Sequence, residues 1–294
     1  MADPSTVKMR TLLLGSGGMI GSALTKTLAG PQLFAFRHQD LDITDYLAVE
    51  KIVLKTKPEI VINAAAFTRV DDCEKFRETA FLVNSQAPGH LAGLCRKHNS
   101  HLVHFSSDYV FDGKSDEPYS ENATCNPINY YGTTKLEAEK KIVASGCSHL
   151  ILRTSWIFGR NGDNFVKKLL KRALAGARLQ APVDQTGAPT YAGDVSHTLV
   201  KLLSIQATGT FHFANLGYCS RHEQARTILQ LYGLNNSVEA VTNERLQLPA
   251  NRPRFSVLDI SRYIHETGHT PRTWQQSTAE YIVFLKENEH ELDS

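Results

Sequence analysis

The reading of the fold turns on residues 10–24, "RTLLLGSGGMIGSAL". A short apolar run ends in glycine, and a segment with helical character follows over residues 19–28. Gly15, Gly18 and Gly21 fall three apart at this junction. In a dinucleotide cradle the first glycine permits a tight turn, the second lets the backbone approach a pyrophosphate, and the third lets the helix pack closely on the strand. The helix N-terminus adds free N–H groups and a positive dipole end. A merely tight turn would carry the same glycines. The position of the motif, opening the first β-α unit, favours the cradle.

Working outward, short apolar runs recur at residues 33–36 ("LFAF"), 59–66 ("EIVINAAA"), 101–107 ("HLVHFSS") and 149–156 ("HLILRTSW"), with helical segments between them. Alternating buried strands and amphipathic helices build β-α-β units around a parallel sheet. Such a sheet is covered on both faces, so its strands read as unbroken apolar runs. The expected fold class is α/β: a Rossmann-type, doubly wound parallel sheet over residues 8–156. After Trp156 the pattern loosens, with loop-rich stretches at residues 159–164 and 181–194. Residues 209–215, "GTFHFAN", read as one more buried strand returning to the sheet. Residues 157–294 are expected to form mainly a smaller C-terminal substrate lobe, interleaved with the sheet domain.

Composition narrows the function classes. The chain has 294 residues, 41% of them hydrophobic, and a formal net charge of +2. That length suffices for a sizeable core, and so small a charge leaves no footprint for nucleic acid or an anionic membrane. No apolar run approaches the roughly 20 residues of a membrane span, and the first ten residues lack the apolar region of a secretion signal. The five cysteines are scattered, without a C-x-x-C pair. Neither a disulfide frame nor a zinc site is suggested, and a reducing cytoplasm is the simplest location.

The end of the second strand governs cofactor choice. An acidic residue there binds the adenine ribose hydroxyls, whereas an Arg accommodates a 2′-phosphate. Here "LFAF" runs into Arg37 and His38, which points to NADPH, with NADH also possible; a solvated surface arginine would look the same. Asp42 is placed to meet the adenine edge, or to act at the start of a helix as Asp45 or Thr44 would. Farther along, "NYYGTTKLEAEKK" sets Tyr131 and Lys135 four residues apart, on one face of a helix. A phenol has a pKa of about 10, and a neighbouring ammonium is expected to lower it, so that Tyr131 exchanges a proton with a carbonyl oxygen. Tyr130 has Thr134 at the matching position and no such partner. Ser107 closes a predicted strand, at the edge of an open sheet where ligands bind.

With these residues, "NAAAFTRVDDCE", "FSSDYVFDG", "YGTTK", "RTSWIFG" and "DQTGAPT" resemble the extended short-chain dehydrogenase/reductases, and among them the dTDP-4-dehydrorhamnose reductase family. The likeness runs over nearly the whole chain. It implies reduction of the 4-keto group of dTDP-4-dehydro-L-rhamnose, with a dTDP-4-keto-6-deoxyhexose as partner and a monomer or homodimer as the working form. It places the catalytic hydroxyl, tyrosine and lysine on Ser107, Tyr131 and Lys135. Cofactor contacts fall on Gly18, Met19, Ile20, Asp42, Ile43, Ala66, Phe67 and Thr68, with Lys135 also holding the nicotinamide ribose. Sugar-nucleotide contacts fall on Ser107, Asp108, Tyr109 and Trp156. A tryptophan there either stacks on a ring or packs in the core. Arg252 either meets the diphosphate or forms a structural ion pair.

Three departures from the pattern that the resemblance implies stand out. Arg37 replaces an acid found in some relatives. Ala23 and Gly193 stand where some relatives have acids that bind magnesium, so no metal is expected. "SRHE", from Ser220 to Glu223, replaces a common Ser-Trp pair. Competing readings are an epimerase of the same superfamily, or a non-catalytic subunit like the regulatory one of methionine adenosyltransferase. A dehydratase is disfavoured because Tyr109, not a second carboxyl, follows Asp108.

Overall fold

The computed structural model describes residues 9–288 and 290–293. Six strands form a parallel sheet: β1 (Thr11–Leu14), β2 (Leu33–Phe36), β3 (Ile60–Asn63), β4 (His101–Ser107), β5 (His149–Thr154) and β6 (Gly209–His212), in the order β6-β5-β4-β3-β1-β2. Helices α1 (Met19–Thr27), α2 (Tyr46–Thr56), α3 (Val70–Lys75), α4 (Arg77–Phe81), α5 (Ala87–His98) and α6 (Tyr130–Ser145) lie between the first five strands. The later helices are α7 (Phe165–Leu174), α8 (Ala192–Ser204), α9 (Arg221–Tyr232), α10 (Asn243–Leu246), α11 (Ser261–Thr267) and α12 (Trp274–Glu287).

Side chains alternate across the sheet because successive strand residues point to opposite faces. Leu12, Leu14, Val61, Leu102 and Ile151 pack with Val49 of α2, Leu91 of α5 and Ile142 of α6. Leu13, Ile62, Val103, Leu152 and Phe211 pack on the other face with Leu24 of α1, Leu199 of α8 and Tyr263 of α11. Each such side chain contributes about 1.5–3 kcal/mol on burial, so the two-sided core outweighs the modest helix propensities. The second half of the chain thus supplies β6, α8 and α11 to the sheet. A separate core joins α7, α9 and α12 beneath the paired strands Leu179–Pro182 and Val238–Val241.

A buried ion pair ties one part of the sheet together. Arg153 of β5 donates from Nε and Nη2 to Glu139 of α6, at 3.0 and 2.6 Å. The same carboxylate accepts from Ser106 of β4, and Arg153 Nη1 lies 3.3 Å from His212 Nε2 on β6. The arginine of "RTSW" therefore braces three strands and a helix behind the site.

Candidate active site

The glycine loop has the shape its spacing predicts. Gly15 adopts φ +80°, and a Cβ there would come within 2.5 Å of Ala65 N. A Cβ on Gly21 would lie 2.0 Å from Gly15 O, so α1 rests directly on the turn. Gly18 precedes the helix, and an added Cβ there finds only Gly15 O, at 3.6 Å. The opening lies at the first turn of α1, whose leading N–H groups on Met19 and Ile20 have no acceptor within the helix. These features fit a dinucleotide pyrophosphate.

Arg37 is exposed, with its side-chain stem along Gly17 of the loop. Asp42 turns back on its own segment, accepting from Thr44 N and Oγ1 at 2.9 and 2.8 Å, while Asp45 caps α2. Ile43 is in the core, 4% exposed, so only its backbone is free to meet a ligand. The segment Ala66, Phe67 and Thr68 follows β3. It is pinned by Asn84, which accepts from Phe67 N at 2.8 Å and donates to Phe67 O at 3.0 Å. Asn84 lies in a π-helical stretch, Leu82–Gln86, a geometry frequent at functional sites. No spacing in the sequence marks such a bulge.

Arg37 carries a prediction. Among the described residues its guanidinium has no carboxylate at ion-pair distance, whereas a ribose 2′-phosphate there would accept charge-assisted bonds. One such exposed contact is worth about 1–2 kcal/mol, or roughly 5–30-fold. The natural protein is expected to prefer NADPH by that factor, and Arg37→Asp to reverse the preference. The ratio of kcat/KM for NADPH and NADH in both forms is the measurement; equal ratios would leave Arg37 as a surface residue.

The three candidate catalytic side chains meet at the C-terminal edge of β4. Asn129 caps α6 by accepting from Gly132 N at 2.8 Å. Gly132 lets the helix press onto the turn after β4, since a Cβ there would lie 2.0 Å from Tyr109 O. Tyr131 is thereby brought close to Ser107, near enough for the serine hydroxyl to influence the phenol. Ser107 Oγ also donates to Asp108 Oδ1 at 2.9 Å and accepts from Tyr109 N at 3.2 Å.

Lys135 differs from its expected role. Its Nζ donates to Phe105 O at 2.6 Å and lies 3.2 Å from His104 Nε2. His104 in turn lies 3.2 Å from the Asn63 amide, its neighbour across the sheet. The lysine is thus occupied by β4, and the Tyr131 pKa is raised rather than lowered, by burial first and then by the Asp108 charge. The phenol is therefore protonated at neutral pH, the form that gives a proton away.

The pH dependence follows from two buried groups. Burial raises Asp108 to about 6, against the pull of its bonds from Ser256 and Ser107. Burial lowers Lys135 to about 8. Above pH 6 Asp108 is a carboxylate that accepts from Ser107; below pH 8 Lys135 is an ammonium. We expect kcat/KM to be bell-shaped with limbs near these values. Asp108→Asn should remove the acid limb and Lys135→Met the alkaline one; a profile flat from pH 5 to 9 would contradict both assignments.

Residues of the second half of the chain also reach this edge. Both Asp108 oxygens face inward, Oδ2 accepting from Ser256 at 2.6 Å, so this carboxylate orients Ser107. The Tyr109 and Tyr131 rings meet edge to face, with centroids 6.0 Å apart. Trp156 has a left-handed backbone, φ +46°, a strained conformation that clusters at functional sites. Its indole lies against Gly187, where a Cβ would come within 2.4 Å. Arg252 donates to Asp71 at 2.9 Å and to Ala250 O at 2.8 Å.

Comparison with known proteins follows this geometry. A family model described as the RmlD substrate binding domain matches residues 9–286. The chain belongs to this family. It is 36% identical to the spore coat polysaccharide biosynthesis protein SpsK of Bacillus subtilis, covering 93% of this chain and 96% of that protein. It is 36% identical to a dTDP-4-keto-6-deoxy-D-glucose reductase of Streptomyces niveus, covering 95% and 99%. Among solved structures, a dTDP-4-dehydrorhamnose reductase from Clostridium acetobutylicum superposes with a TM-score of 0.91 at 37% identity, over 95% of this chain and 100% of that one. One from Bacillus anthracis, in complex with NADP, gives 0.90 at 30% identity, over 95% and 100%.

The structure places two of the departures expected from the sequence. Ala23 on α1 and Gly193 on α8 offer no side-chain ligand, and among the described residues no group of three or more His, Cys, Asp or Glu side chains is placed to hold a metal. The "SRHE" segment is a capping box: Ser220 Oγ accepts from Glu223 N, and the Glu223 carboxylate accepts from Ser220 N. This box starts α9 at Arg221, whose guanidinium carbon lies 3.4 Å from the Trp156 ring centroid. One face of the indole is therefore covered by Arg221.

Proposed function

We propose that the chain is an NADPH-dependent reductase of a dTDP-4-keto-6-deoxyhexose, converting dTDP-4-dehydro-L-rhamnose to dTDP-L-rhamnose. The observation that carries this reading is the gathering of Ser107, Tyr131 and Lys135 about the C-terminal end of β4, on the sheet edge that also carries the glycine loop, in a chain of the RmlD family. NADPH, when bound, supplies the hydride that reaches the carbonyl carbon.

The remaining steps belong to the protein. Ser107, oriented by Asp108, holds the carbonyl oxygen near the phenol. Tyr131 gives that oxygen its proton, a step that general-acid catalysis makes about 10²–10⁴-fold faster. Lys135, fixed by Phe105 O and His104, presents its ammonium to the nicotinamide ribose. Asn84 holds the Ala66–Thr68 segment against the cofactor. Gly15, Gly18 and Gly21 seat the pyrophosphate, Arg37 the 2′-phosphate, and Arg252 reaches the substrate's diphosphate from its Asp71 pair. All these groups come from one chain, so a monomer suffices for the chemistry, and a homodimer is compatible with it. The five cysteines are free thiols, in keeping with a reducing cytoplasm, and among the described residues no helix is long and apolar enough to cross a membrane.

The test is NADPH oxidation with dTDP-4-dehydro-L-rhamnose and with dTDP-4-keto-6-deoxy-D-glucose, with the product sugar identified by NMR. Turnover of the first to dTDP-L-rhamnose is expected. Redox-neutral conversion of a sugar nucleotide, with no net loss of NADPH, would instead mark an epimerase.

A further inference from the structure

Arg221 is placed by a local device and held by an aromatic one. The Ser220–Glu223 capping box fixes it as the first residue of α9, and its backbone N–H donates to Gln185 O at 3.1 Å. Its guanidinium carbon lies over the Trp156 ring, 3.4 Å from the centroid, and 4.9 Å from the Phe165 ring centroid. Trp156 cannot yield, because Gly187 backs it. Only one of the five guanidinium N–H groups meets an acceptor among the described residues, through Nη1 to Gln224 Oε1 at 2.8 Å. No carboxylate stands at ion-pair distance among those residues, and the oxygens of nearby Asp108 are already held by Ser107 and Ser256. Arg221 nevertheless lies within electrostatic reach of Tyr109, Asp108 and Arg252.

We propose that Arg221 and Arg252 form a two-guanidinium clamp for the diphosphate of the sugar nucleotide, with Trp156 serving as the platform that aims Arg221 rather than as a stacking surface for the ligand. This rests on the proposed function above. A half-buried guanidinium with unfilled donors calls for an anion, and a diphosphate matches its fork with paired charge-assisted bonds. A neutral hexose offers only neutral oxygens. Arg252 is anchored by Asp71 and lies within electrostatic reach of Arg221, so the two cations are placed to share one ligand. The arginine in "SRHE" is thus a binding residue particular to this pocket.

Calorimetry with dTDP and with thymidine, on the full chain at fixed salt, tests the clamp. Arg221→Met keeps a long unbranched side chain beside Trp156 and removes the charge. It is expected to weaken dTDP binding about 10–100-fold while leaving the affinities for thymidine and NADPH unchanged. Arg221→Lys should recover part of the loss, because charge returns without the fork. Rising salt should weaken dTDP binding more in the natural protein than in Arg221→Met. Unchanged dTDP affinity in Arg221→Met would overturn the clamp, and a fall confined to kcat/KM for the sugar nucleotide would move Arg221 to the hexose. If the natural protein binds dTDP through Arg221 yet reduces neither keto sugar, the clamp stands and the reductase assignment falls.

Discussion

Tyr131→Phe is expected to lower kcat by about 10²–10⁴-fold with NADPH affinity unchanged. The substitution removes one oxygen and keeps the ring, so the edge-to-face packing on Tyr109 is preserved. The lost group is the one that faces Ser107 and that burial keeps protonated. Water is a poor substitute, because the phenol is already positioned before the carbonyl arrives. Single-turnover rates and an NADPH titration on the variant separate the chemical step from binding. A variant with more than about a tenth of the natural rate would remove Tyr131 from the proton-donor role.

Gly132→Ala is expected to be nearly as damaging, though Gly132 carries no chemistry. The new methyl would lie 2.0 Å from Tyr109 O and 3.0 Å from Pro127 Cβ. The Tyr109 carbonyl is backbone, in the turn that begins at Ser107, so relief of the clash moves α6 away from Ser107 or distorts the turn itself. A displacement of about 1 Å costs on the order of 10²-fold in rate, and overpacking costs about 1–3 kcal/mol in stability. We expect kcat to fall by that factor while the melting transition remains cooperative. Natural activity in Gly132→Ala would show that the α6 contact does not set the Tyr131–Ser107 distance.

The two substitutions separate what is local from what is not. Residues 10–24, the apolar runs and the Tyr131–Lys135 interval were legible because strand and helix periods fix which neighbours share a face. Such periods act within a few residues, so no partner choice across the fold was needed to read them. The glycine loop, the strand–helix alternation and the shared helix face of Tyr131 and Lys135 follow from that alone. Arg37 was legible as a position, because the end of a second strand in this topology lies by the adenine ribose.

Pairs far apart in the chain were not legible. Lys135 was read against Tyr131, one turn away, yet its amine is held by His104 and Phe105 of β4. Arg252 pairs with Asp71, 181 residues distant, and α8 covers a sheet whose first five strands precede it. Arg221 was visible only as a departure in "SRHE"; its place over Trp156 depends on where the second lobe docks. Patterns of period two and 3.6 set the sheet, the cradle and the helix face that Tyr131 shares with Lys135. Only the tertiary structure decided which charge faces which, because those contacts form when distant segments close on one another and bury their polar groups, which must then find partners among whatever side chains the packing brings near.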